Sequence, residues 1–173
     1  MTARRLWIPA LAGLLVAGVL GVGGGGAVAV EPRVVTASIM IPAAAFIPAY
    51  DGIDYTNGAY LQALGGPGQF MAPVWFPIPE VKITRFTLYA VDNTPNGYIC
   101  ADLFRSRPAA GTYDRAGRVC TADSTAVDPQ TYTTAVRPMS VDTASYGVHV
   151  TVTIWPPTYF YAVKITYTYS PGA

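Results

Sequence analysis

Tyr146-Gly147-Val148-His149-Val150-Thr151-Val152-Thr153-Ile154-Trp155-Pro156-Pro157, continued by Tyr159-Phe160-Tyr161-Ala162-Val163-Lys164-Ile165-Thr166-Tyr167-Thr168-Tyr169, is the stretch on which the fold turns. In its first half Tyr146, Val148, Val150, Val152 and Ile154 share one parity against Gly147, His149, Thr151, Thr153 and Trp155. Successive strand side chains point to opposite faces, so a period of two predicts a strand with one apolar and one polar face. After the two prolines, Tyr161, Val163, Ile165 and Tyr167 are expected to point into the core, with Lys164 pointing out beside His149, Thr151 and Thr153 of the preceding strand. If the two strands pair directly, prolines cannot supply the positive φ angles of a two-residue primed turn. The expected register then sets Ile154 opposite Tyr161 and Val152 opposite Val163, with Trp155 beside Phe160 at the outer edge. The alternative is that Pro156-Pro157 carries the chain across to a second sheet.

The same period recurs upstream. Residues 82–92 alternate Thr84, Phe86, Leu88 and Ala90 against Ile83, Arg85, Thr87 and Tyr89, and residues 97–104 continue in that style. Asn93-Thr94-Pro95-Asn96-Gly97 between them is dense in turn formers, so these two runs read as a hairpin. Weaker strands are expected at 34–41, 60–64, 69–74 and 131–137, and residues 105–130 read as the largest irregular stretch. No segment after Val30 sustains an apolar period of three to four residues, which leaves little room for helix. About eight short strands with Gly- and Pro-rich links predict an all-β fold, an antiparallel β-sandwich of jelly-roll-like type. An orthogonal barrel is the alternative.

At the other end, Arg4 and Arg5 precede an uncharged run from Leu6 to Val30 that closes on Ala27-Val28-Ala29. That layout predicts a secretory signal peptide over residues 1–29, cleaved after Ala29, and one all-β domain over residues 30–173. The rival reading is a retained anchor, which Gly21 and Gly23 to Gly26 weaken because glycine is a poor helix former. The expected location is outside the cell or in the periplasm, with membrane association only if the leader is kept. Without the leader, nine basic residues face ten acidic ones, so no nucleic-acid partner is expected. In that oxidising setting Cys100 and Cys120, the only cysteines, are expected to be bonded to each other.

His149 is the only histidine, and no G-x-S-x-G elbow accompanies it. A hydrolase triad would have to run through His149 with Ser140, Ser145 or Thr151, and a strand histidine of ordinary structural role is the better reading. Glycoside hydrolysis needs two carboxylates roughly 5 to 10 Å apart. Most of the acidic residues fall in turn-like segments, Asp92 and Asp142 among them, and only Asp102 lies inside a predicted strand. No catalytic residue and no cofactor is therefore expected. Asp51 and Asp54 offer hard oxygen ligands and are weak calcium candidates. Twelve Tyr and three Trp suit a domain that stacks rings on sugar faces. The expected ligand-contacting aromatics are Trp75, Trp155, Phe160, Tyr50 and Tyr113, with Tyr55 also in a loop, and the expected partner is a glycan or a cell-surface component. The reading is a non-catalytic structural or ligand-binding domain, with carbohydrate binding as its most concrete form and a glycoside-acting enzyme the weaker alternative.

Ile41-Pro42-Ala43-Ala44-Ala45-Phe46-Ile47-Pro48, Ala72-Pro73-Val74, Ile83-Thr84, Tyr89 with Asp92-Asn93, Leu103-Phe104-Arg105 and Tyr161-Ala162-Val163-Lys164-Ile165-Thr166-Tyr167 together resemble a family of uncharacterised exported bacterial β-sandwich domains. The resemblance spans nearly the whole chain after the leader. It implies a compact jelly-roll-like sandwich and carries no catalytic residues, and Phe76-Pro77-Ile78-Pro79 departs from its usual turn-forming residues.

Overall fold

The alternating segments pair into two antiparallel sheets in the computed structural model, which describes residues 33–122 and 126–171. The leader and its cleavage site lie outside the described residues. In chain order the strands are β1 (Val35–Pro42), β2 (Ile47–Pro48), β3 (Tyr55–Asn57), β4 (Leu61–Ala63), β5 (Gly68–Val74), β6 (Glu80–Val91), β7 (Ile99–Arg107), β8 (Thr112–Cys120), β9 (Gln130–Asp142), β10 (Gly147–Ile154) and β11 (Tyr159–Tyr169). One sheet runs β3-β4-β11-β6-β9, with β1 also paired to β11, and the other runs β2-β5-β10-β7-β8. The all-β sandwich is as expected, with eleven strands among the described residues rather than eight.

The inner faces form one apolar cluster. Phe86, Leu88, Phe160 and Ile165 of the first sheet pack on Phe70, Leu103, Val150 and Val152 of the second, all wholly buried. The face assignment for β10 holds for Val148, Val150, Val152 and Ile154, while Tyr146 packs half-buried at the rim. Thr151 lies on the outer face as expected but is only 9% exposed, because β10 is the central strand and Thr151 is flanked by Met71 and Asp102.

Several expectations are corrected. β10 and β11 do not pair with each other: Ile154 lies opposite Ile99 and Gly68, whereas Phe160 lies opposite Ala90 and Leu61. Pro156-Pro157 is the corner between sheets, tightened by buried Thr158, whose hydroxyl donates to the Trp155 carbonyl at 2.7 Å. Phe160, expected at the surface, is wholly buried and meets Phe46 edge-on at 4.9 Å. A register shift between Phe160 and Ala162 explains this. The extra residue, Tyr161, flips the parity, so that Phe160, Val163, Ile165 and Tyr167 all face inward while Tyr161 is half-buried. A matching shift between Ile83 and Arg85 lets both Ile83 and Phe86 enter the core.

β6 and β7 likewise belong to opposite sheets, so residues 93–97 cross the sandwich instead of closing a hairpin. Asp92, at the head of that crossing, is buried and accepts the Thr121 hydroxyl, so it is not a solvated turn residue. Within the stretch 105–130, residues 105–107 and 112–120 are strand and not irregular chain. β7 continues into β8 through a 3₁₀ turn, Pro108–Ala110, closed by Gly111 in the left-handed region at φ 62°. β8 is an edge strand exposed along much of its length, so its sequence has no burial pattern to reveal it. Cys100 and Cys120 are bonded as expected and face each other across this pair, their Cα atoms 4.1 Å apart. Phe76 and Ile78 anchor the link between β5 and β6 by packing on the core, which takes the place of turn residues there.

Candidate functional site

The outer face of the β2-β5-β10-β7-β8 sheet is built by the same parity that fills the core. With Val150 and Leu103 inward, their strand neighbours His149, Thr151, Asp102 and Phe104 must face out. On β8 the parity changes between Leu103 and Phe104: Gly117 lies opposite Leu103 and Arg115 opposite Phe104, leaving Ala116 as an extra residue. That bulge brings Arg115 and Tyr113 to the face that Arg118 already occupies. Gly117 suits the spot because a Cβ there would come within 3.2 Å of Val136 on β9.

The result is a hollow of about 230 Å³ lined by Gln69, Asp102, Phe104, Tyr113, His149 and Thr151. Its aromatic wall is continuous. His149 stacks on Phe104 with ring centres 5.3 Å apart and planes inclined by 19°, and Tyr113 meets Phe104 edge-on at 5.5 Å. The Tyr113 ring is 70% exposed, so this wall presents one free aromatic surface. Burial pushes the pKa of His149 below the ordinary histidine range, which leaves a neutral imidazole with one donor and one acceptor. Asp102 is only 9% exposed and lies 3.4 Å from Arg115 Nη1 and 3.8 Å from Arg118 Nε. Two guanidinium groups thus fix its carboxylate.

Asp102 is the hollow's one carboxylate among the described residues, and no hydrogen bond links Asp102, Thr151 and His149. Ser145 donates to Asp142 at 2.7 Å, and neither Ser140 nor Ser145 lines the hollow that holds His149.

The other expected contact residues are dispersed. Trp75, 82% exposed, borders a separate hollow with Pro73, Thr143 and Tyr146. Tyr50 borders a third with Gly52, Asp54 and Gly66. Trp155 stacks on Tyr98 at 5.3 Å beside the proline corner, and Tyr55 leans edge-on against Phe70. Of the expected set only Tyr113 reaches the outer-face hollow, and Phe160 is in the core. Asp51 and Asp54 are exposed, and among the described residues no three His, Cys, Asp or Glu side chains gather as a metal site. Besides Asp102, weighed above only as a catalytic carboxylate, the members that the sequence reading did not assign to binding are Gln69, Phe104, His149 and Thr151. The pointer to them was Asp102, the in-strand carboxylate, since its neighbours of the same parity share its face.

No protein-family model matches the sequence, and no curated protein matches it. Solved structures to which the chain is similar include the C-terminal CBM6 of LamC, a marine laminarinase from Zobellia galactanivorans (14% identity, 75% of this chain and 99% of that one, TM-score 0.49). A second is the CBM36-1 domain of a multidomain xylanase from the hindgut metagenome of Trinervitermes trinervoides (14% identity, 75% and 96%, TM-score 0.46). A third is a β-1,3-glucan-binding CBM6 from Bacillus halodurans (18% identity, 76% and 94%, TM-score 0.40).

Proposed function

We propose that this is an exported, non-catalytic carbohydrate-binding domain whose saccharide site is the hollow at Tyr113. The observation that carries the reading is the joining of an exposed aromatic ring to fixed polar groups in one shallow hollow. A sugar ring presents C–H groups on its face and hydroxyls at its rim. Tyr113 offers the stacking surface, while Asp102 accepts from hydroxyls, neutral His149 and Thr151 donate or accept, and the Gln69 amide does both. Asp102 is held by two arginines, so a ligand meets an acceptor whose position costs little to fix. Binding without cleavage fits the chemistry, because glycoside hydrolysis needs a second carboxylate across the scissile bond.

A glycan array run on the native protein and on Tyr113→Ala tests this. Selective signals that the variant loses are expected. A silent array with the native protein refutes the binding role, and release of free sugar from a bound glycan refutes the non-catalytic one.

A further inference from the structure

The hollow at Tyr113 opens beside a strongly basic surface. Five of the nine Lys and Arg in residues 33–171, namely Arg105, Arg107, Arg115, Arg118 and Arg137, lie on β7, β8 and β9, where the edges of the two sheets approach each other. Four of them share two carboxylates. Asp102 takes Arg115 and Arg118, while Asp114 takes Arg105 at 2.8 Å and Arg107 at 3.5 Å. Arg137 has no acidic partner among the described residues. The patch therefore carries a surplus of about three positive charges on a chain that is close to neutral as a whole, enough to set the local potential.

The geometry is that of a groove. A channel of about 680 Å³ is lined by Arg105, Tyr113, Asp114, Arg115 and Arg137, and it shares Tyr113 with the saccharide hollow. Arg105 is held in place: Nη1 donates to the Ser140 carbonyl at 2.8 Å, and its guanidinium lies 4.7 Å from the Tyr146 ring centre. Its Nε is buried and has no partner. Fixed guanidinium groups match the paired oxygens of carboxylates and sulfates.

Resting on the glycan reading above, we infer that the ligand is an acidic polysaccharide: a sugar unit stacks at Tyr113, and the anionic group of the next unit enters the groove of Arg105, Arg115 and Arg137. Carboxylated and sulfated chains share this chemistry.

Affinity electrophoresis of the purified protein tests it, in gels containing polygalacturonate, its fully methyl-esterified form, a sulfated galactan or its desulfated backbone. Retardation by one acidic polymer, at least about tenfold weaker for its neutral counterpart and weakened by added salt, is expected. The exposed Arg137, as R137E, is expected to lose about tenfold in retardation by that polymer, as is the loss of one charge-assisted contact. Equal retardation by the neutral form, with R137E like the native protein, overturns the acidic ligand and leaves glycan binding standing. Retardation by the acidic polymer that survives Tyr113→Ala overturns it in favour of unspecific charge attraction. If no polysaccharide of either kind retards the protein, the glycan reading itself fails.

Discussion

Tyr113 and Phe160 show how differently two aromatic residues of one sheet protein are used. Tyr113 projects from an edge strand into solvent, so truncating it removes ligand-facing area and almost no packing. Tyr113→Ala is expected to weaken saccharide binding by about tenfold or more while stability stays within about 0.5 kcal/mol, read by titration and urea unfolding of the same samples. Phe160 touches no solvent, and Phe160→Ala is expected to cost about 3–5 kcal/mol in the same unfolding assay. His149 adds a pH dependence. Its folded pKa lies below the ordinary value of 6.5 because burial disfavours the charged ring, so the unfolded chain binds the proton first. The stability this contributes is complete above about pH 6.5 and is lost as pH falls toward the folded pKa. Native protein is expected to lose more stability between pH 7 and 5.5 than His149→Gln. Equal losses would contradict the assignment. Asp114, held low by its hydrogen bond from Arg105, and Asp142, held low by Ser145, extend the same trend to pH values below the ordinary aspartate range.

At the scale of elements, legibility follows burial. β10 is central and covered on its inner face, and its alternation was read with the faces right. β11 alternates as clearly, yet one bulge at Tyr161 reverses which parity is inside for Phe160, and no residue type announces a bulge of this kind. β8 was missed because an edge strand exposed on both faces has no pattern to show, and with it went the bulge that aims Tyr113 and Arg115. The site was therefore legible only as single residues, Tyr113 among the aromatics and Asp102 among the carboxylates. Pairing across strands, which sequence does not encode locally, brings them together. The turn formers at 93–97 and the prolines at 156–157 announced chain reversals correctly, but the same chemistry serves a hairpin and a crossing between sheets. The disulfide stabilises the β7–β8 pair that holds the site. Replacing Cys100 and Cys120 together by alanine closes no loop over the separation of 20 residues, and a loss of about 3 kcal/mol is expected by calorimetry. An unchanged melting temperature would contradict that role.

For the molecule as a whole, the proposed export ties the disulfide and the exposed polar hollow into one account: outside the cytoplasm the bridge would persist and keep in register the edge hairpin that carries half of the residues lining the hollow. The exported product is expected to begin at Val30, and its intact mass checks this; a membrane-held species retaining residues 1–29 would contradict it. The central claim is where sugar binds, and chemical-shift mapping of the labelled protein, titrated with a glycan selected on the array, addresses it most directly. The account predicts perturbations grouped at Asp102, Phe104, Tyr113, His149 and Thr151 on the outer sheet face. Perturbations grouped instead at Trp75, or at Tyr98 and Trp155, with the outer face silent, would contradict it.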